Sequence, residues 1–352
     1  MPGMPEMPLL PPLTGWRLLT TWHVRPVVTA LAVLAVVAYL AGVARLNRRH
    51  PAHRWSGWRT VAFLAGILVA VVAIEGGPGQ YGEVLFWVHM VRHLMLIMLA
   101  PWLVAMGYPV TLLLRATRGA SRRRIRGVLR SAPVSLLTHP LVTLGGYVVV
   151  VVGLHLTGFM QAMMERSVLA EVEIVACLGV GYLEFSQTLT REPYRWDLPY
   201  PLRLFMQFVA MTVDTIAGVV LLQTTRVPWP AFADGGRTWG PSPLDDLHGG
   251  AAVMWIGGDA LMLVMMLVLA GQWLSDGRPE AARVGRWLES ARQAALADTG
   301  GRLAGDPDRA ALMASPDVDD GDAALAAYNA MLTRLAEHDG LAPAAGPATR
   351  RR

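Results

Sequence analysis

Two histidines four residues apart, His89 and His93, are the residues of this sequence whose type and spacing most directly suggest chemistry. Side chains at i and i+4 lie on one face of an α-helix, about 6 Å apart along its axis. Neutral imidazoles placed in this way can chelate one metal ion, as they do in helical zinc sites. Met90 stands where an HExxH metalloprotease would carry its glutamate base, so that chemistry is not supported. The pair predicts a metal site, and hydrogen bonding between helices is the alternative.

The segments around these histidines are apolar enough to cross a membrane. Of the 352 residues, 53% are hydrophobic and only 16% are charged, and the mean hydropathy is +0.39. Soluble chains carry about 25% charged residues, and a transmembrane helix needs about 20 apolar ones. The sequence therefore predicts an all-α, polytopic membrane protein and excludes a soluble enzyme for most of the chain. Seven segments qualify as transmembrane helices: 26–46, 58–75, 84–107, 140–160, 168–189, 203–223 and 250–272.

The distribution of arginine predicts the orientation of these helices. All 31 basic residues are arginine, and the net charge is +5. Loops on the cytoplasmic side of a membrane carry the excess of basic residues. Arginines dominate after the first, third, fifth and seventh spans, and segment 115–130 carries seven of them without an acidic residue. We predict a multi-pass plasma-membrane protein with its N-terminus outside and its C-terminus in the cytoplasm. The positive charge then reports topology, and no nucleic-acid partner is expected.

The chain divides by composition into three parts. We predict an extracytoplasmic segment at 1–25, the seven-helix domain at 26–273, and a cytoplasmic tail at 274–352. The tail is rich in Ala, Asp, Gly and Arg, and 280–298 and 322–338 are typical of amphipathic helices within an otherwise disordered segment. The single cysteine, Cys177, excludes a structural disulfide and a CxxC motif.

Ionisable and sulfur-containing side chains gather at the predicted outer leaflet, where His89 and His93 also lie. Such groups inside spans are functional hypotheses by default. Imidazole suits Cu(II) and the methionine thioether suits Cu(I), so the cluster predicts copper. Methionine also fills gaps in apolar cores, so packing is the alternative for the methionines. The further members are His155, Met160, Met163, Met164, Glu171, Glu173, Asp246 and His248.

Further charged residues within the spans include Arg92, Asp214 and Asp259. Arg92 stands between the two histidines, where it either keeps them neutral or pairs with Glu171 or Glu173. Asp214 and Asp259 lie near the middle of the membrane. We interpret these aspartates as a buried pair or as a proton or ion relay, and hydrogen bonds to a neighbouring helix are the alternative.

Two stretches of the sequence resemble the CtaG family of cytochrome c oxidase assembly factors. HMVRHLMLIMLAPWLVAMGYPVTLLLRA, residues 89–116, is similar to the family's HMxxH spacing, apolar run, Ala-Pro pair, turn and basic exit. PLDDLHGGAAVMWIGGD, residues 243–259, is similar to the polar start of its last helix. The likeness covers about residues 26–273.

The resemblance implies that His89, His93 and His155 are functional positions, with Asp246 as a weaker candidate. This sequence departs from the family pattern at Arg92, at His248, and at Glu171 and Glu173, where many members carry a histidine.

The family is linked to maturation of the copper sites of haem-copper oxidases, so the resemblance implies a non-enzymatic assembly role with copper as the bound metal. We predict that His89, His93 and His155 hold copper, with Glu173 or His248 completing or screening the site. Copper would arrive from an extracytoplasmic donor and pass by ligand exchange to a terminal oxidase subunit. The outer methionines Met160, Met163 and Met164 would serve its arrival.

The sequence leaves three other functions open. The first is a copper importer or tolerance protein in which Asp214 and Asp259 line a path. The second is a redox protein that binds haem or quinone, with His89 or His93 and His155 as axial ligands. The third is a scaffolding membrane subunit whose histidines only form hydrogen bonds between helices.

Overall fold

The computed structural model describes residues 10–233 and 237–276, and over these ranges the chain is helical and contains no β-strand. By internal contacts the chain divides into two compact units, Met1–Gly271 and Gln272–Arg352. His89, His93 and the other predicted site residues belong to the first unit. The helices expected at 280–298 and 322–338 lie outside the described residues, and the three-part division of the chain stays a prediction.

The first half of the described chain forms seven α-helices and one π-helical segment. The break after α6 comes from Tyr108, whose left-handed φ of 51° is followed by Pro109 at the start of the next helix, where a missing N–H is tolerated. The elements are α1 Gly15–Thr20, α2 Pro26–Arg49, α3 Gly57–Glu75, α4 Gly77–Tyr81, α5 Phe86–His93, the π-helical Leu94–Leu99, α6 Ala100–Met106 and α7 Pro109–Ala116.

The second half adds eight α-helices within the described ranges. The last of them passes through a second π-helical segment, Val253–Gly257, and continues as a helix to Asp276. The elements are α8 Gly119–Leu129, α9 Ala132–Leu137, α10 Pro140–His155, α11 Phe159–Glu165, α12 Ser167–Thr188, α13 Tyr200–Leu222, α14 Pro230–Ala233 and α15 Pro243–Ala252.

Several of these helices are long and apolar enough to cross a membrane, which confirms an all-helical, multi-pass membrane protein. Five helices qualify by themselves, and the bent pair of α10 and α11 is a sixth candidate. The fifth predicted span, 168–189, coincides with α12, which is not among these candidates because its 22 residues include three glutamates. Seven crossings and their orientation stay predictions. The five are Pro26–Arg49, Gly57–Tyr81, Phe86–Ala116, Tyr200–Leu222 and Pro243–Asp276.

The fourth predicted span, 140–160, is not one continuous helix. α10 ends at His155, and α11 leaves it at an angle of 69°. In the turn between them the hydroxyl of Thr157 accepts a hydrogen bond from the backbone N–H of Phe159, at 3.1 Å. Such a local side-chain bond competes with helix continuation, which apolar periodicity alone does not reveal. His155 at the end of α10 and Glu173 near the start of α12 both contact His93, so these two helix ends lie at the same end of the bundle.

Small residues allow α12 to pack closely against the third predicted span. Gly181 lies so near the π-helical segment that a Cβ atom on it would overlap the carbonyl oxygen of Ile97 and lie 2.9 Å from Cγ of Pro101. Close backbone approach at small residues is the usual way in which membrane helices associate. This contact holds α12 beside the helix turns that carry His89 and His93.

Candidate metal centre

The structure brings His89, His93 and Glu173 together inside the helical bundle. The two histidines lie on successive turns of α5, and Glu173 faces them from α12. One donor atom from each residue, either an imidazole nitrogen or a carboxylate oxygen, lies within 4.8 Å of the other two. His89 and Glu173 are fully buried and His93 is 3% exposed. The group has the donor types and the spacing of a three-residue metal centre.

The hydrogen bonds of His89 determine which of its nitrogens is free. Nδ1 lies 3.1 Å from the carbonyl oxygen of Gly82. Because a carbonyl oxygen only accepts, Nδ1 carries the hydrogen and Nε2 of the neutral ring presents its lone pair. This Nε2 lies 3.3 Å from Oε1 of Glu173 and has no hydrogen-bond partner among the described residues. Two electron-rich atoms therefore face each other.

His155 continues the network on the far side of His93. Its Nδ1 donates to the carbonyl oxygen of Val151 at 2.8 Å, so its Nε2 acts as an acceptor. Nδ1 of His93 lies 2.9 Å from that Nε2 and donates to it. Nε2 of His93 then presents a lone pair to Oε1 of Glu173, with which it is in close contact. His155 orients His93, and both nitrogens of His155 are already used.

The arrangement lacks one positive charge at its centre. Two imidazole lone pairs point at one carboxylate oxygen of Glu173, an arrangement that is unfavourable in a buried site. Arg92 approaches the other oxygen, Oε2, from 3.5 Å and does not lie between the donors. An additional proton or a metal cation among the three groups would satisfy them all. The residues therefore fit a metal ion, and a single added proton is the competing occupant.

Of the two roles considered for Arg92, the structure shows the ion pair. Its partner is Glu173, whereas Glu171 pairs with Arg25 at 2.8 Å and is 58% exposed. The two glutamates are two residues apart on α12, so they point in different directions around the helix. Glu173 belongs to the site and Glu171 does not.

If the centre binds a metal ion, replacing His155 with Phe is expected to weaken that binding about 10- to 100-fold without abolishing it, the usual effect of losing a group that orients a metal ligand. His93 would lose the acceptor of its Nδ1–H, while the three donors of the centre would remain. Copper titration of the purified protein measures the affinity. His248→Phe is the control, because His248 lies outside the cluster, and an equal loss in both variants would contradict the orienting role.

Asp246 lies away from the donor atoms and holds the start of α5. Its two carboxylate oxygens accept the backbone N–H groups of Phe86 and Trp87 at 3.0 and 3.1 Å, and Arg237 donates to it at 3.0 Å. The first N–H groups of a helix lack helical partners, and an acidic cap is favourable there. Asp246, predicted as a metal ligand, thus has a positioning role just before His89.

His248 forms its hydrogen bond outside the candidate metal centre. Its Nε2 donates to the carbonyl oxygen of Thr224 at 2.9 Å, which ties α15 to the residues that follow α13. The side chain is half-buried and does not join the three donors. Its predicted part in completing the metal site therefore has no support in the geometry.

The three methionines predicted at the outer surface all lie on α11, in apolar surroundings. Met160 and Met163 are buried members of the main core, and Met164 packs against that core half-buried. Within the described part of the chain these contacts favour the packing alternative over a role in copper arrival.

Sequence reasoning missed the two backbone carbonyls that orient the rings. Val151 precedes His155 by four residues, so a bond from a helical histidine to the carbonyl one turn earlier could have been expected. The carbonyl of Gly82 belongs to the turn before α5, and no side chain marks its position. The pairing of Glu173 with His93 depends on how α5 and α12 are rotated about their axes relative to each other. The hydrophobic periodicity of the sequence does not give this rotation.

Three mycobacterial proteins are similar to this chain. The uncharacterized proteins Mb0105 of Mycobacterium bovis and MT0111 of Mycobacterium tuberculosis are each 27% identical to it over 293 residues. The uncharacterized protein ML1998 of Mycobacterium leprae is 26% identical over the same length. The alignments cover 81% of this chain and 44% of each relative, so the chain spans less than half the length of these proteins. No solved structure matches it.

A family comparison covers most of the chain. Residues 37–276 match the cytochrome c oxidase caa3 assembly factors, Caa3_CtaG. The matched range contains the whole candidate metal centre and the described helices α3 to α15, and it confirms the resemblance of segments 89–116 and 243–259. The chain therefore belongs to the family of caa3-type cytochrome c oxidase assembly factors, CtaG.

Proposed function

We propose that this chain binds one copper ion through His89, His93 and Glu173 and delivers it to a terminal oxidase during assembly. The observation that carries the proposal is that the lone pairs of two imidazole nitrogens converge on a buried carboxylate. The hydrogen atoms of both rings are used in other hydrogen bonds, so none lies between these nitrogens and the carboxylate. Imidazole and carboxylate donors bind Cu(II) more tightly than the other divalent first-row ions. Membership of an oxidase assembly family supports copper as the cargo, in line with the role that the sequence resemblance implies.

Delivery would proceed by ligand exchange and requires no covalent catalysis. The chain provides three donors, so further coordination positions are open to ligands of a donor or an acceptor protein. His155 keeps the lone pair of His93 directed at the site, and Arg92 balances the charge of Glu173 when copper leaves. Because all three donors are buried, loading and release need a local opening near the start of α5. With the predicted orientation, this opening faces the outer side of the membrane.

The geometry does not favour a haem held between His93 and His155, or an ion path along Asp214 and Asp259. His93 and His155 are hydrogen-bonded at 2.9 Å, which leaves no room for a porphyrin iron between them. Asp214 accepts from the hydroxyl of Tyr147 at 2.8 Å, and Asp259 accepts from the hydroxyl of Thr215 at 2.9 Å. The two aspartates thus have the hydrogen bonds to neighbouring helices that the structural alternative requires.

Metal content and an optical spectrum of the detergent-purified full chain test the proposal. After copper loading and removal of free metal, the wild type is expected to hold about one equivalent. His89→Ala/His93→Ala is expected to lose it, because two of the three donors are gone, and neither sample is expected to show a Soret band. His50→Ala/His53→Ala changes two exposed histidines and serves as the matched control.

Equal copper in the wild type and in the His89→Ala/His93→Ala variant would overturn the proposed site, and so would a wild type that binds none. Cells in which the chain is replaced by this variant are then expected to assemble oxidase with less copper. Normal oxidase copper in those cells would favour the scaffolding function.

A further inference from the structure

A second convergence of metal-binding atoms lies deeper in the bundle, between α13 and the helix that continues α15. The thioether sulfurs of Met262 and Met265 lie 2.6 and 3.5 Å from the same atom, Nε2 of Gln207. All three side chains are fully buried. Met262 and Met265 are three residues apart, so they lie on one face of their helix, the face that contacts Gln207 of α13.

The hydrogen bonding of Gln207 is incomplete. Its Oε1 is buried and has no partner among the described residues. Its Nε2 donates only toward sulfur, which is a weak acceptor. A buried amide with one unpaired atom and only weak partners for the other is unfavourable in an apolar bundle. A leucine at this position would pack well between two apolar helices, so packing alone does not explain the amide.

A half-turn of the amide about its last bond exchanges the oxygen and the nitrogen without moving the helix. In that orientation the carbonyl oxygen of Gln207 joins the sulfurs of Met262 and Met265 around one point. Three electron-rich atoms then face each other, and a cation among them satisfies all three.

We propose that Met262, Met265 and Gln207 form a second metal site, which binds the soft monovalent cation Cu(I) or its analogue Ag(I). Thioethers are soft ligands that select Cu(I) over harder ions. The three ligands are neutral and fully buried, so they do not compensate the larger desolvation cost of a divalent ion. The histidine centre, with its imidazoles and its carboxylate, has the opposite preference.

The position of Met254 connects the two sites. Met254 lines a cavity of about 10 Å³, the room of about one water molecule. His93, His155 and Cys177 line the same cavity, immediately beside the histidine centre. Met262 follows Met254 by eight residues on the same helix, about 12 Å along its axis. The second site thus extends a series of soft ligands inward from the first, and it goes beyond the proposed delivery function.

Silver binding by the purified full chain, in the background of His89→Ala/His93→Ala, tests the second site without contribution from the first. This background protein is expected to bind about one equivalent of Ag(I). Adding Met262→Leu/Met265→Leu is expected to lower the Ag(I) affinity at least tenfold, since both sulfurs are removed while the apolar volume is nearly kept. Adding Met95→Leu/Met266→Leu instead removes two half-buried thioethers and is the matched control.

X-ray absorption at the silver edge gives a second measurement. It is expected to show sulfur scatterers in the background protein and in the control, and to lose them in the Met262→Leu/Met265→Leu protein. A folded background protein that binds no silver, or unchanged silver binding after Met262→Leu/Met265→Leu, would overturn the second site. If the methionine pair does not fold, the single variants Met262→Leu and Met265→Leu are each expected to weaken binding. The proposed function fails separately, on the copper content of the histidine variant.

Discussion

Replacing Glu173 with Gln is expected to abolish copper binding at the histidine centre while the protein remains folded. The substitution keeps the shape of the side chain and removes its charge, so the two imidazoles lose the anion on which they converge. Arg92 is left facing a neutral amide, and its positive charge then opposes a metal cation instead of being balanced. We expect at least a 100-fold loss of affinity, more than the loss for an orienting residue such as His155.

Glu171→Gln is the matched control for this prediction. Glu171 lies two residues away on α12, is 58% exposed, and pairs with Arg25 at the surface. Exposed ion pairs contribute little to stability, so this variant should keep both the fold and the copper affinity of the wild type. Copper titration, with gel-filtration profiles to check folding, measures both proteins. Tight copper binding by the Glu173→Gln variant would show that the carboxylate is not a ligand.

Replacing Gly181 with Ala is expected to destabilise the whole helical domain, although it adds one methyl group. The new Cβ atom would overlap the carbonyl oxygen of Ile97. That oxygen belongs to the backbone and cannot turn away, so α12 must move from the π-helical segment. Overpacking of this kind costs about 1–3 kcal/mol and sometimes more. The same movement takes Glu173 away from His93, so copper binding should fall as well.

Gly179→Ala provides a control of the opposite sign. Gly179 lies on the same helix, and a Cβ atom there would have no neighbour within 4 Å. Alanine is favoured over glycine inside a helix by up to about 1 kcal/mol, so this variant should be as stable as the wild type or slightly more stable. Thermal unfolding in detergent compares the two proteins. Equal melting temperatures for Gly181→Ala and Gly179→Ala would mean that the close helix contact at Gly181 is not required.

The sequence alone determined the class of the protein and one face of its candidate metal centre. Low charge and long apolar runs require helices in a membrane, because the bilayer offers backbone groups no other partners. The four-residue spacing of His89 and His93 places both rings on one side of a helix whatever the fold around them. The predicted positions of the spans also placed His155 and Glu173 at the same membrane depth as this pair, without any knowledge of contacts.

Only the tertiary structure decided what each polar residue does at that level. Glu173 lies beside His89 and His93 while Glu171 faces away, Asp246 caps α5, and His155 forms a hydrogen bond with His93. The physical reason is that periodicity shows which residues share one face of a helix, but not which neighbouring helix that face contacts. The rotation and close approach of neighbouring helices depend on contacts such as that of Gly181 with Ile97, which arise between segments far apart in the chain.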